Sequence, residues 1–225
     1  MPVRSQLSTA KAEETRERIL TAALTLFREH GFEKTTMRDI AAAAGVATGA
    51  AYYYFRSKEE LVMAFYLRTA EEMRVVLPQE LVKTNDLKRR LARIIHLKFE
   101  QFAEHRAFLG ALFRSAVDPA SPLSPFGDET SAIREESEAW FGQALDGAST
   151  SAPKELVPYL PRLLWLYQMG LILFWIYDRS HGQKRTAALV DGTLDLIVKS
   201  IRIAGLPLMG PLRRRAVHLL KELDV

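Results

Sequence analysis

Residues 36–58 read TMRDIAAAAGVATGAAYYYFRSK, and this stretch decides the fold. Thr36-x-x-Asp39 has the form of a capping box, in which a hydroxyl and a carboxylate three residues apart satisfy each other's backbone N–H groups. A helix therefore opens at Thr36. Ile40, Ala41 and Ala44 give it an apolar face, and Gly45 ends it by admitting a left-handed turn. Val46 fills the gap before a third helix over Thr48 to Phe55. The small side chains of Ala41 to Ala44 let the two helices cross closely, which is the build of a helix-turn-helix unit.

The third helix carries the functional signal. Tyr52, Tyr53 and Tyr54 are consecutive, so they point about 100° apart and cannot all enter a core. Ala51 and Phe55, four apart, form the inward side and leave Thr48, Gly49, Ala50, Tyr52 and Tyr53 toward solvent. Tyrosine hydroxyls donate well to phosphate oxygens, and Gly49 and Ala50 leave room for base edges. Ser57-x-x-Glu60 is a second capping box. It places Lys58 in the first turn of the next helix, where its ammonium and the free N–H groups both favour a phosphate.

Outward from this unit, apolar residues recur at three and four almost throughout, so the chain reads as all-α. The first ten residues read as frayed. A helix over Lys11 to His30 has Ile19, Ala23, Leu26, Phe27 and His30 on one face and ends at Gly31. Lys58 to Leu77 reads as a long helix stopped by Pro78. Helices follow over Asp86–Glu104, Arg106–Val117, Glu129–Asp146, Glu155–Tyr177 and Lys184–Ala204, with a short one bearing Arg213, Arg214 and Arg215. The expected division is a head over residues 1–57 and a body over residues 58–225, joined through the helix at 58–77.

The stretch from Ile19 to Leu61 resembles the DNA-binding domain of the TetR family. The pattern appears here as Phe27…Gly31, then Thr36…Ile40-Ala41…Ala44-Gly45-Val46, then Gly49…Tyr52-Tyr53-Tyr54-Phe55…Lys58…Leu61. By position, the resemblance implies DNA contacts at Thr36, Arg38, Thr48, Tyr52, Tyr53 and Lys58. Ala47 stands where a capping serine is common, which would leave the cap to Thr48, and Ala51 stands where leucine is common. The resemblance also implies a homodimer whose body binds a small molecule. The expected architecture is a three-helix head plus a helical ligand-binding and dimerisation body.

Leu163 to Tyr177, LLWLYQMGLILFWIY, is apolar on nearly every face and is expected to be buried all round. It is shorter than the roughly 20 residues a bilayer core needs, and Arg162 and Asp178 close it. Phe108, Leu112, Phe113, Trp140, Phe141, Trp165 and Met169 are candidate walls of an effector pocket. A dimer seam is expected from two stripes of 3.5-residue period: Leu163, Leu166, Gly170, Leu173 and Tyr177, and Val190, Leu194, Ile197, Ile201 and Ala204.

Composition bounds the function. The 225 residues carry a formal net charge of +4, and residues 1–60 hold nine basic and eight acidic side chains, a net of +1. Bulk charge therefore says little about DNA, and local geometry must carry the argument. There is no cysteine, hence no disulfide framework and no thiolate zinc site, which suits a cytoplasmic location. The N-terminus lacks the apolar run of a signal peptide. The histidines at 30, 96, 105, 181 and 218 lack metal-ligand spacing, and no glycine-rich phosphate loop or G-x-S-x-G elbow is present. No enzymatic activity, metal or cofactor is expected. The reading is a ligand-responsive transcriptional regulator, a repressor released from a palindromic operator by a small apolar or aromatic effector. The alternative is a helical protein-interaction adaptor on the same scaffold.

Overall fold

The computed structural model describes residues 3–116 and 121–223, and every regular element among them is helical. The α-helices are α1 (Val3–His30), α2 (Met37–Ala43), α3 (Thr48–Tyr54), α4 (Lys58–Leu81), α5 (Leu87–Phe102), α6 (Arg106–Ala116), α7 (Ser131–Asp146), α8 (Leu160–Tyr177), α9 (Lys184–Ala204) and α10 (Gly210–Glu222). Helix α1 begins at Val3 instead of Lys11, and no glycine or proline lies between Val3 and Gly31. Pro78 does not end α4, which closes one turn later at Leu81. Helix α8 starts at Leu160, five residues later than expected, with Pro161 in its first turn, where a missing N–H costs nothing.

The chain divides into two compact units, Met1–Thr69 with Glu104–Ser131 and Ala70–Ala103 with Ala132–Val225. One division between the units falls at 69/70, within α4 and within the joining helix expected at 58–77, and α6 is grouped with the N-terminal helices. The reason is aromatic. Phe108 of α6 stacks on Phe27 with ring centroids 5.2 Å apart and meets Phe65 edge-on at 6.2 Å. All three rings are buried, as are Ile19, Leu20, Ala23 and Ile40 of the same unit. His30, expected on the inward face of α1, is exposed.

The second unit is built on a core shared by α4, α5, α7, α8 and α9, from Met73, Leu77, Leu91, Ile94, Trp140, Phe141, Leu164, Trp165, Val190, Leu194 and others. Its joint is Arg90 of α5. The buried guanidinium donates from Nε to the Ala144 carbonyl at 2.8 Å and from Nη2 to the Gln143 carbonyl at 2.7 Å. Nη1 donates to the Leu81 and Thr84 carbonyls at 2.5 and 3.0 Å. Helix C-termini leave carbonyls without partners, and here one side chain serves the ends of α4 and α7. Gly147 completes the arrangement, since a Cβ there would lie 2.2 Å from Arg90 Nη2. The start of α9 is tied similarly. Buried Asp178 accepts from the N–H and hydroxyl of Ser180 at 2.9 and 2.7 Å, and from those of Thr186 at 2.8 Å each. Burial pushes its carboxyl up, but these four bonds outweigh that and hold it well below the usual carboxylate range.

Arg90→Leu should lower the unfolding free energy by about 3 kcal/mol, because it strands buried carbonyls. Gly147→Ala should cost a comparable amount by displacing the guanidinium, and adding it to Arg90→Leu should cost little more. Urea denaturation of the three variants measures this; strictly additive losses would show that the two residues act independently.

Candidate functional site

The head is assembled by short-range bonds. Thr36 Oγ1 accepts from the Asp39 N–H at 3.2 Å, and Asp39 Oδ2 accepts from the Thr36 N–H and hydroxyl at 3.0 and 2.6 Å. The Thr36 hydroxyl and then its N–H hold the Asp39 carboxyl below its ordinary value. Helix α2 ends in Gly45 at φ +65°, with the Val46 N–H returned to the Ala41 carbonyl at 3.0 Å. Ala47 is the N-cap of α3, with no side-chain cap. Thr48 is therefore the first helical residue and does not take over the cap.

Ala51 and Phe55 are buried, as the inward side of α3 requires. The guanidinium of Arg16 lies 4.9 Å from the Phe55 ring centroid and braces it from α1. On the other side Tyr53 is 84% exposed, Tyr52, Thr48 and Gly49 are exposed and Ala50 is half-buried. Arg38 and Thr36 are exposed on α2 and its cap. The Tyr53 and Tyr54 rings meet edge-on at 5.3 Å, so Tyr53 is oriented although little else covers it. Lys58 is placed differently from expectation. Its Nζ donates to the Phe32 and Glu33 carbonyls at 2.6 and 3.4 Å and sits 4.4 Å from the Phe32 ring centroid. It clamps the turn after α1 to the start of α4, leaving one of its three N–H donors for a phosphate.

The seven expected pocket residues divide between the units. Phe108, Leu112 and Phe113 belong to the first, and Trp140, Phe141, Trp165 and Met169 to the second. Phe108 and Phe141 are core-filling rings. Trp140 lines a cavity of about 160 Å³ between α4 and α7, beside Met73, Leu77 and Pro78, with Arg74 and Glu136 as its polar wall. None of the other six lines it. Sequence reasoning missed Lys98, buried in the same unit with its Nζ 5.2 Å from the Trp140 ring. The available signal was its register, since Leu91, Ile95, Lys98 and Phe102 share one buried stripe of α5.

Helices α8 and α9 correct the seam. Val190, Leu194 and Ile201 are 2, 1 and 5% exposed and belong to the protomer's own core, so they cannot face a partner. Their stripe is the one that packs toward α5. Ile197 is half-buried. On α8 one side is buried, through Leu164, Trp165, Gln168, Leu171, Ile172 and Trp175, so burial all round is not observed. The expected stripe lies on the other side: Leu163, Leu166 and Leu173 are half-buried, and Gly170 and Tyr177 are exposed.

Two family models match this chain. The one described as "Bacterial regulatory proteins, tetR family" covers residues 19–65, and "Tetracyclin repressor-like, C-terminal domain" covers residues 90–216. The chain belongs to the TetR family. Among curated relatives, it is 30% identical over 109 residues to the HTH-type transcriptional regulator YerO of Bacillus subtilis (strain 168), 47% of this chain and 37% of that protein. It is 41% identical over 59 residues to the "Probable acrEF/envCD operon repressor" of Escherichia coli (strain K12), 26% of this chain and 27% of that protein. Both alignments thus span well under half of the relative's length. The solved structure of the Bacillus subtilis transcriptional regulator FadR, in complex with stearoyl-CoA, aligns at a TM-score of 0.63 and 18% identity, covering 81% of this chain and 97% of that one. At that identity the likeness shows the fold, all-α with a helix-turn-helix. TetR-family chains are regulators and not enzymes. The matched head encloses every residue from Thr36 to Lys58, and the matched C-terminal domain encloses Lys98, Trp140, α8 and α9.

Lys58→Ala should destabilise this TetR-family head without any DNA present, by about 1–2 kcal/mol for the lost carbonyl and ring contacts. Tyr53→Ala should leave stability within about 0.5 kcal/mol, as its side chain is exposed. Thermal denaturation of both variants tests the clamp; equal melting temperatures would remove it.

Proposed function

We propose that this TetR-family chain is a DNA-binding transcriptional regulator, a repressor whose hold on a palindromic operator is released by a small effector bound in its body. The observation that carries the reading is the outer face of the helix-turn-helix, where Arg38, Thr48, Gly49, Tyr52 and Tyr53 stand exposed over buried Ala51 and Phe55. Exposed tyrosines on so short a helix suit a polyanion better than open water, with hydroxyls and Arg38 on phosphates and Gly49 and Ala50 near bases. The Escherichia coli relative's name supports repression, and the stearoyl-CoA in the Bacillus subtilis structure supports an effector.

Release would act through α4, which has 24 residues, or about 36 Å, and contributes to both units. A ligand that shifts its later turns changes the spacing of two recognition helices in a dimer, and half-sites must lie about one helical turn apart. The dimer face proposed is the outward side of α8 and α9. Leu163, Leu166, Gly170, Leu173 and Tyr177 of α8 contribute, with Phe174 beside them and Leu196 and Ile203 from α9 in place of the core-facing stripe.

Selection of randomised duplex DNA on the purified protein tests the main reading. Recovery of a palindrome is expected, and Tyr53→Ala or Arg38→Ala should weaken its binding roughly tenfold with melting temperature unchanged. Arg38→Ala should also reduce the salt slope by about one unit. A protein that retains no DNA would point to the adaptor instead. For the dimer, the pair Phe174→Glu and Leu196→Glu should give a helical monomer that loses DNA, since it sets four unpaired charges across an apolar face. Leu194→Glu should unfold the body. Light scattering that finds dimer mass in the first variant at micromolar concentration would exclude this face.

A further inference from the structure

Lys98 of α5 is a charged side chain that the fold buries without pairing it. It is 8% exposed, and its Nζ lies 5.2 Å from the ring centroids of both Trp140 and Phe102. Among the described residues no hydrogen bond or salt bridge reaches its ammonium. Two carboxylates act on it through space, Glu72 and Glu136, and both are committed elsewhere. Glu136 is held by Arg74 in a two-point contact, Nε to Oε1 at 2.5 Å and Nη2 to Oε2 at 2.7 Å. Glu72 accepts from Gln101 Nε2 at 3.0 Å. Burial lowers the Lys98 pKa to about 8 against the opposing pull of these two carboxylates. A buried cation is costly without a counter-ion, and two ring faces compensate only in part.

Lys98 does not itself line the cavity of about 160 Å³ between α4 and α7, but two of the side chains that do, Trp140 and Glu136, are also its neighbours. A cavity of roughly 150 Å³ holds a benzene ring. The geometry points to Lys98 as the group that reads an anion: the effector is a small organic acid whose ring-sized apolar body lies against Trp140 and whose carboxylate pairs with the Lys98 ammonium. This deepens the effector-sensing reading and rests on it. It narrows an apolar or aromatic ligand to an acidic one.

Calorimetric titration of the full chain with benzoate and with its neutral isostere benzamide is the test. Benzoate should bind at least roughly tenfold more tightly at pH 7, the worth of a charge-assisted hydrogen bond. Lys98→Met should lose benzoate affinity by roughly tenfold to a hundredfold while keeping its helicity and whatever weak affinity it has for benzamide, with a melting temperature no lower than that of the native chain. The bound carboxylate raises the lysine's pKa, so binding takes up a proton. Benzoate affinity should therefore fall above about pH 8 in the native chain, and Lys98→Met should show no such fall. Equal benzoate binding by the variant, equal binding of benzamide by the native chain, or no benzoate binding at all would each overturn the proposal. The sensing reading fails separately. Benzoate that binds through Lys98 yet leaves DNA affinity unchanged would refute effector control and leave the acid site standing.

Discussion

Carbonyl oxygens at the ends of α4 and α7, and at Thr84 beside them, converge on one guanidinium, and the body is arranged around that convergence. Arg90 meets Leu81, Thr84, Gln143 and Ala144 with no carboxylate involved. The partial negative charge at two helix C-termini stands in for a counter-ion. This fixes α7 against the later turns of α4, and so fixes Trp140 opposite Met73 and Leu77, which makes the cavity wall. Gly147 is small because the guanidinium occupies the volume a Cβ would need. The candidate effector site thus depends on a residue that does not touch it.

What the sequence revealed and what it hid divide by the range of the interaction. The capping box at Thr36, the left-handed Gly45 and the inward pair Ala51 and Phe55 are contacts within a few residues, and their spacing alone specifies them. The clamp made by Lys58 was illegible because its acceptors are backbone carbonyls 26 and 25 residues earlier, and carbonyls leave no trace in sequence. The α9 stripe shows a different limit. Val190, Leu194, Ile197 and Ile201 have the period of a packed seam, but the period does not say which neighbour packs there. The buried set is Thr186, Val190, Leu194, Val198 and Ile201, and it faces the protomer's own core. Phe108 shows a related limit: it is aromatic and inward, but its ring partners are Phe27 and Phe65 of the first unit.

Helix α8 has more apolar surface than its own unit covers. By length and composition Leu160–Tyr177 passes as a membrane span, with 33% of it buried. Its buried side argues for packing against protein. Trp175 stacks on Phe99 at 5.3 Å, and the Tyr167 hydroxyl meets that of Thr193 on α9 at 2.5 Å. Buried Gln168 sits in the same face. Phe174 and Tyr177 on α8 and Leu196 and Ile203 on α9 are exposed, and large apolar side chains left outside in this way are what another apolar surface covers. Gly170 in mid-helix costs about 1 kcal/mol relative to alanine, and among the described residues nothing beyond its own stretch of helix lies within 4 Å of where its Cβ would be. The protomer alone thus gives no packing reason for that glycine, whereas close approach of a second helix does.

Two buried cations on α5, Arg90 and Lys98, are two turns apart and almost equally hidden, at 7 and 8% exposure. The difference between them is satisfaction. Arg90 has four acceptors at hydrogen-bonding distance, so moving it would cost every one of them, and it behaves as a fixed strut. Lys98 has two rings and two carboxylates already occupied by Arg74 and Gln101. A fold that needed only to fill the space between Trp140 and Phe102 would be more stable with methionine there, because a buried unpaired charge is destabilising and an apolar chain of similar length is not. Lys98 is therefore short of a counter-charge that a bound anion would supply. A ligand that supplies the missing charge stabilises the conformation it binds by its differential affinity for that conformation, and by no more than that. If that conformation is the one whose α4 misplaces the recognition helix, the same lysine that makes the empty state less stable also sets the strength of the switch.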